Sequence, residues 1–245
     1  MALRIFDTDP EAKPKPKVSF DDGTIGRVHS GKMVPNPKAP GQMIPESLDH
    51  WEFSTGDIDV SNALSELFRA PIVDTQSESE NFLRIEDTGT DTLEIILHSI
   101  SSDMKQWNMG KLVHHCDGVT FISGEDYSGR DVTGQPCGCP KFFAERKAAA
   151  KAGRGPKPSI KFVFALADAP ELGTFNMQTG SWDTAAALSE YDDRIADAGS
   201  YPVVAKLSLE LVEFVIKKGP NAGTHVEYRY PVLKRIRSYD DANAE

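Results

Sequence analysis

The chain has 245 residues and a formal net charge of −10 at pH 7, with 39% hydrophobic and 26% charged residues. That composition is a soluble, globular one, long enough for a sizeable core, and no apolar stretch approaches the length of a membrane span. The acidic balance excludes a protein that coats nucleic acid over its whole surface, because such binding draws its affinity from Lys and Arg at the phosphates.

The first residues, Met1 to Asp7, lack the apolar core and small-residue cleavage site of a secretory signal, so a cytoplasmic, reducing location is expected. Residues 1–47 read as an extended arm. Pro10, Pro14, Pro16, Pro35, Pro37, Pro40 and Pro45 remove backbone donors and fix φ, which argues against a long helix or a central strand. One short strand or hairpin is allowed around Gly26 to Met33.

Residues 48–113 form a first strand-turn-helix-strand unit, and residues 159–245 a second one with a C-terminal β-hairpin. Leu48 to Glu66 aligns without gaps on Leu172 to Glu190, with the leucine, Thr-Gly, aspartate and Ala-Leu-Ser-Glu positions identical. In each copy an alternating strand meets a Thr-Gly turn, and Asp59 or Asp183 is placed to cap a helix. The strands Thr92 to His98 and Val203 to Phe214 follow, so an internal duplication is expected. Val203 to Ile216 and Thr224 to Tyr230 alternate about a turn and predict the hairpin, with Pro231 ending the ladder and Tyr239 to Glu245 fraying. The fold class is α+β: one compact domain with a β-rich antiparallel core, few short helices, and an insertion between the duplicated units.

That insertion, residues 114–158, holds all three cysteines. Cys116, Cys137 and Cys139 cannot all pair, and a reducing compartment disfavours disulfides, so metal binding is the better account. Zinc takes thiolates and imidazoles in a tetrahedron, and His114 or His115 would complete a Cys₃His set. Alternation along a strand puts His114 on the side of Cys116. The Gly-, Asp- and Ser-rich loop between Cys116 and Cys137 would need tethering, so a structural zinc is expected to staple it. A catalytic zinc would need a base, for which Glu125 and Asp126 are candidates by proximity in sequence only.

Lys141, Arg146, Lys147, Lys151, Arg154 and Lys157 stand against Glu145 alone between Lys141 and Pro158, so this segment is +5 and the remainder −15. It reads either as a solvated basic helix or as a binding surface. No P-loop, Gly-x-Ser-x-Gly elbow or His-Glu-x-x-His helix is present, so no catalytic residues are assigned. Two alternatives stand beside a non-enzymatic reading: a zinc-dependent hydrolase of nucleotides or nucleic acid, and a single-strand DNA-binding module stacking bases on Trp51, Trp182 and Tyr228.

Several segments together resemble the recombination directionality factors of actinobacteriophages. They are Arg4 to Pro10, Gly26 to Gly31, Cys116-Asp117-Gly118, Pro136-Cys137-Gly138-Cys139-Pro140, and Lys151-Ala152-Gly153-Arg154-Gly155-Pro156-Lys157-Pro158. The resemblance implies a protein of the bacterial host's cytoplasm that binds a large serine integrase on att-site DNA. It also implies activation of attL by attR excision, suppression of attP by attB integration, and little or no sequence-specific DNA binding by the factor alone. Two surfaces are candidates for the integrase contact: the basic helix with Lys141, Phe142, Phe143, Arg146, Lys147, Lys151 and Arg154, and the hairpin from Thr224 to Pro231.

Overall fold

In the computed structural model the described residues are 23–242, apart from Lys38, 77–80, Tyr127 and 218–221. Most of the proline-rich arm, including Arg4 to Pro10, lies outside them, as do part of the turn after Lys217 and residues 243–245.

One mixed sheet organises the protein, in the order β11-β10-β5-β8-β9-β1-β2-β4-β3. Its strands are β1 (Gly26–Pro35), β2 (Met43–Thr55), β3 (Ile72–Asp74), β4 (Leu83–Ile85), β5 (Thr92–Asn108), β8 (Lys157–Leu166), β9 (Thr174–Thr179), β10 (Val203–Val215) and β11 (His225–Ser238). β6 (Lys111–Cys116) and β7 (Phe121–Ser123) extend it from β5. The helices are α1 (Ile58–Phe68), α2 (Phe143–Lys151), α3 (Trp182–Asp197) and a short α4 (Tyr239–Ala242).

Period-2 alternation sends one set of side chains inward: Val28, Trp51, Phe53, Ile95, Leu97, Phe162, Phe164, Phe175, Met177 and Leu207 are all buried. Phe53 stacks on Phe68 of α1 at 4.9 Å and meets Phe175 edge-on at 5.9 Å. α3 is fastened to β11 by Tyr191, whose hydroxyl accepts from Leu233 N at 3.1 Å, and by Thr184, which donates to Pro231 O at 3.0 Å. The sheet curls until β11 returns to β2, where Arg229 N donates to Ser47 Oγ (3.0 Å) and Arg229 Nε to Asp49 (3.2 Å).

The β-rich α+β class holds, with four amendments. First, β1 is an interior strand, paired antiparallel with β2 and parallel with β9, although the prolines before and after it argued for an arm. The stretch Gly26 to Val34 is itself proline-free, and a Cβ at Gly26 would fall 2.8 Å from Ser54 O, so glycine is what admits this close approach. The sheet is therefore mixed rather than purely antiparallel. Second, Pro231 does not end the ladder: it pairs with Leu209 within β11, which is tolerated because β11 is an edge strand. Third, Tyr239 and Ala242 pack against Ile96, Ala165 and Val204 instead of fraying.

The fourth amendment concerns the internal likeness. The helix caps are Asp57, which accepts from Asp59 N and Val60 N, and Ser181, which accepts from Thr184 N; Asp59 and Asp183 lie in the first turns. Asp57 and Ser181 are aligned positions, and each is preceded by a threonine whose hydroxyl accepts the cap residue's N–H, Thr55 at 3.1 Å and Thr179 at 3.2 Å. The correspondence stops there. β3 and β4 intervene between α1 and β5, whereas α3 leads straight to β10. The similarity is that of two strand-turn-helix junctions, and duplication of a whole unit is not established.

On the sheet's outer face, His29 bonds Ser54 Oγ at 2.7 Å beside the paired Arg84 and Glu52. Burial, with the nearby Arg84 and Arg27 guanidinium groups, pushes its pKa down to about 4. The unfolded chain takes up this proton near the ordinary histidine value of 6.5 and the native state does not. Stability is therefore lost as pH falls from 6.5 towards 4, by about 3 kcal/mol from this group. Urea unfolding across that range should show the loss in the native protein and a correspondingly flatter profile in His29→Gln.

Candidate metal centre

β5 runs 17 residues, longer than the core requires, and its outer end carries β6 through the pairs Met104 with Cys116 and Gln106 with His114. Side chains two apart on a strand share a face, so His114 and Cys116 point together and His115 points away. A polar loop then brings round the other two thiols, Cys137 and Cys139. Cys137 N donates to Val119 O at 2.9 Å, and Thr120 bridges Pro136. Gly138, at φ +72°, lets the chain reverse between Cys137 and Cys139.

The result is one group. The donor atoms of His114, Cys116, Cys137 and Cys139 lie within 4.8 Å of one another. His114 Nε2 is 3.2 Å from Cys116 Sγ and 3.5 Å from Cys139 Sγ, and the Cys116 and Cys139 sulfurs are 3.7 Å apart. A tetrahedron with metal–sulfur bonds of about 2.3 Å has edges of about 3.8 Å, so the set fits a tetrahedral ion. Burial raises the Cys116 thiol, and burial followed by the neighbouring thiols pushes Cys139 well above the ordinary thiol range. A divalent cation is the charge that would reverse this and hold thiolates. Burial also lowers the pKa of His114, keeping its imidazole neutral as a ligand must be.

Not all the expected residues converge. His115 is turned to Ser123 Oγ (2.8 Å) and Asp103 Oδ2 (3.2 Å), outside the donor group. Burial works against ionisation of Asp103, yet hydrogen bonds from Lys105 and His115 hold its carboxyl below the ordinary range.

The loop is ordered by its own turns rather than by tethering alone. Asp117 accepts from Val119 N and Thr120 N, both at 2.7 Å, and Asp126 accepts from Ser128 N (2.7 Å) and Arg130 N (3.0 Å). Asp126 also holds the Arg130 guanidinium at 2.7 Å, so this candidate base is committed to a turn. Trp51 is fully buried with its indole N–H on Asp91 O, Trp182 packs on Phe143, and Tyr228 donates to Asp183. Trp51 is therefore closed to a stacking base, while Trp182 and Tyr228 are half-buried and engaged in these contacts.

The basic helix is α2, and its residues divide. Arg146 turns inward, its Nε donating to Pro140 O at 2.6 Å and its Nη2 to Gly118 O at 2.8 Å. It thereby ties the Cys137-Gly138-Cys139-Pro140 corner to the Cys116-Asp117-Gly118 corner. A Cβ at Gly118 would collide with the guanidinium. Phe143 meets Trp182 edge-on at 5.3 Å. Lys141, Phe142, Phe143, Lys147, Lys151 and Arg154 are exposed. Sequence reasoning missed the clamping role of Arg146, because its two acceptors are backbone carbonyls 6 and 28 residues away.

A family model described as Gp3-like, recombination directionality factor-like, matches residues 25–236. The chain belongs to that family, a regulatory one within DNA recombination. No solved structure matches it. Among the described residues no helix is long and apolar enough to cross a membrane.

Replacing Arg146 by Met leaves two carbonyls beside the His/Cys₃ group without their donor, at about 1–3 kcal/mol. Thermal unfolding should show a clear fall in Tm for Arg146→Met and little change for the exposed Lys147→Met.

Proposed function

We propose that this protein is a recombination directionality factor that binds a large serine integrase on its att-site DNA, activates attL by attR excision and inhibits attP by attB integration. Family membership across residues 25–236 carries this reading. The chemistry of the described residues agrees with it, since the one group of soft metal ligands is closed by four protein donors and leaves no coordination position for a substrate. Partner binding falls to the exposed side of α2, with Lys141, Phe142, Phe143, Lys147, Lys151 and Arg154, while Arg146 holds that helix in place.

The metal in this reading is a structural zinc on His114, Cys116, Cys137 and Cys139. Three thiolates and a neutral imidazole suit zinc, and its closed tetrahedron would rigidify the base of the basic helix. Elemental analysis of protein purified without chelator should find about one zinc per chain by the four-donor argument. His115→Ala should keep it, whereas His114→Ala and Cys137→Ser should lose it and unfold at lower temperature. Equal loss in His114→Ala and His115→Ala would reject this ligand set.

The function itself is tested by mixing the purified protein with the serine integrase of the same phage or prophage and the four att sites. Stimulation of attL by attR recombination and suppression of attP by attB are expected. An integrase unaffected in both reactions would sink the proposal.

A further inference from the structure

β10 and β11 continue as a two-stranded ribbon beyond the start of β5 at Thr92. β10 pairs with β5 only from Val203 to Ser208, and the last bond on that side runs from Leu209 N to Asp91 O at 2.8 Å. Its pairing with β11 goes on to Val215 opposite His225. From Leu211 to Val215 the strand therefore has a neighbour on one side and an open edge on the other.

Ladder parity says which groups that edge presents. In an antiparallel sheet, residues bonded to one neighbour alternate with residues that face the other side. Leu209 N reaches Asp91 on the β5 side, whereas Ile216 N reaches Thr224 O at 3.0 Å in line with β11. Leu211, Glu213 and Val215 thus turn their N–H and C=O groups to the open edge, where no described residue bonds them. The ribbon's other edge is closed by comparison. The same parity sends Arg229 N away from β10, where it donates to Ser47 Oγ at 3.0 Å, and Pro231 has no N–H to offer.

Open strand edges are ordinarily blunted by proline, lysine or a bulge. The stretch from Leu211 to Val215 has none of these, and Leu211, Phe214 and Val215 are exposed apolar side chains. Its one charge is Glu213, which stands directly opposite Glu227. The pair is of the closer, non-hydrogen-bonded kind, so the two carboxylates repel. Both are exposed, and the cations of this ribbon are held elsewhere: Arg229 by Asp49 at 3.2 Å and Lys234 by Glu210 at 2.7 Å.

Those charges select the occupant. A second copy of the chain paired symmetrically about Glu213 would line up four carboxylates across four strands, which argues against it. A strand with a lysine or arginine opposite Glu213 instead sets a cation on the face that both glutamates share. In that register its residues opposite Leu211 and Val215 lie on the same face and its residue opposite Phe214 on the other, so apolar types suit all three.

We propose that the edge of β10 from Leu211 to Val215 takes an extended segment of a protein partner as an added antiparallel strand. The segment carries a basic residue opposite Glu213 and apolar residues opposite Leu211, Phe214 and Val215. This rests on the reading of the chain as a partner-binding protein, and it adds to α2 a second surface that acts through backbone pairing.

The probe is the capped heptapeptide Thr-Val-Tyr-Arg-Thr-Val-Thr, titrated into the full-length nitrogen-15-labelled protein and followed by amide shifts and hydrogen exchange. Shifts should centre on residues 211–215. Exchange should slow at Leu211, Glu213 and Val215 far more than at Val212 and Phe214, which β11 already protects. Replacing the peptide's arginine by glutamate should weaken binding about tenfold or more. Glu213→Lys, an exposed change, should reverse that preference. Val215→Pro removes one outward N–H without touching the β11 ladder and should cost about fivefold. Circular dichroism checks the fold of both variants, and the charge swap decides alone if Val215→Pro disturbs the hairpin. The proposal is overturned by absence of binding, by shifts confined to another surface, or by equal affinity for the two peptides. It is also overturned if Glu213→Lys leaves the preference unchanged. Protection of the three outward amides without peptide, in a protein that sediments as a dimer, would overturn it by giving the edge to a second copy. The titration contains no integrase, so its failure leaves the recombination result standing, and an inert protein in the recombination assay leaves a bound peptide standing.

Discussion

Burial of one face of a strongly curved sheet is the constraint on which everything else in this protein depends. Trp51, Phe53, Phe162, Phe164 and Phe175 are shielded completely or nearly so, and they come from β1's neighbours on both sides as well as from the strands beyond. Aromatic side chains of this size each remove a large apolar area from water, and at roughly 25 cal/mol per Å² they dominate the favourable side of folding. Once they point inward, strand alternation leaves the outer face to Arg27, His29, Glu52, Lys161 and Gln178. The polar face is thus a geometric consequence of the apolar one.

The same sheet builds the candidate metal centre. β5 belongs to the core along its first half and to the projecting β6 and β7 along its second. The donor group is therefore held on a rigid extension of the core rather than on a free loop. His114 and Cys116 come from strand alternation, Cys137 and Cys139 from a glycine-hinged corner, and Arg146 locks the two corners through their carbonyls. An organised donor set loses less entropy on binding an ion than one that must be gathered from a disordered chain.

Local chemistry made much of this legible. The grouping of all three cysteines, the i, i+2 placement of His114 and Cys116, the two Thr-Gly junctions and the β10–β11 hairpin all follow from periodicity and spacing within a few residues. The failures share a cause as well. β1 was hidden because flanking prolines dominated the composition of its surroundings, and its parallel pairing with β9 joins residues about 150 apart. Pro231 reads as a stop until the strand is known to lie at an edge, where its missing N–H breaks no ladder. Arg146 read as one more surface cation because nothing in the neighbouring sequence names its carbonyl partners.

What the sequence determined alone is the inventory and its local geometry: a β-rich chain, thiols and imidazoles at strand and turn spacing, and a basic segment in an acidic protein. Only the tertiary structure decided which cations are bound inward and which remain outside, that His115 is turned away from the donor group, and that β1 lies inside the sheet between β2 and β9. The physical reason is that alternation and turn preference act between near neighbours. Strand order, which sets every long-range juxtaposition here, emerges only when the whole apolar face is buried at once.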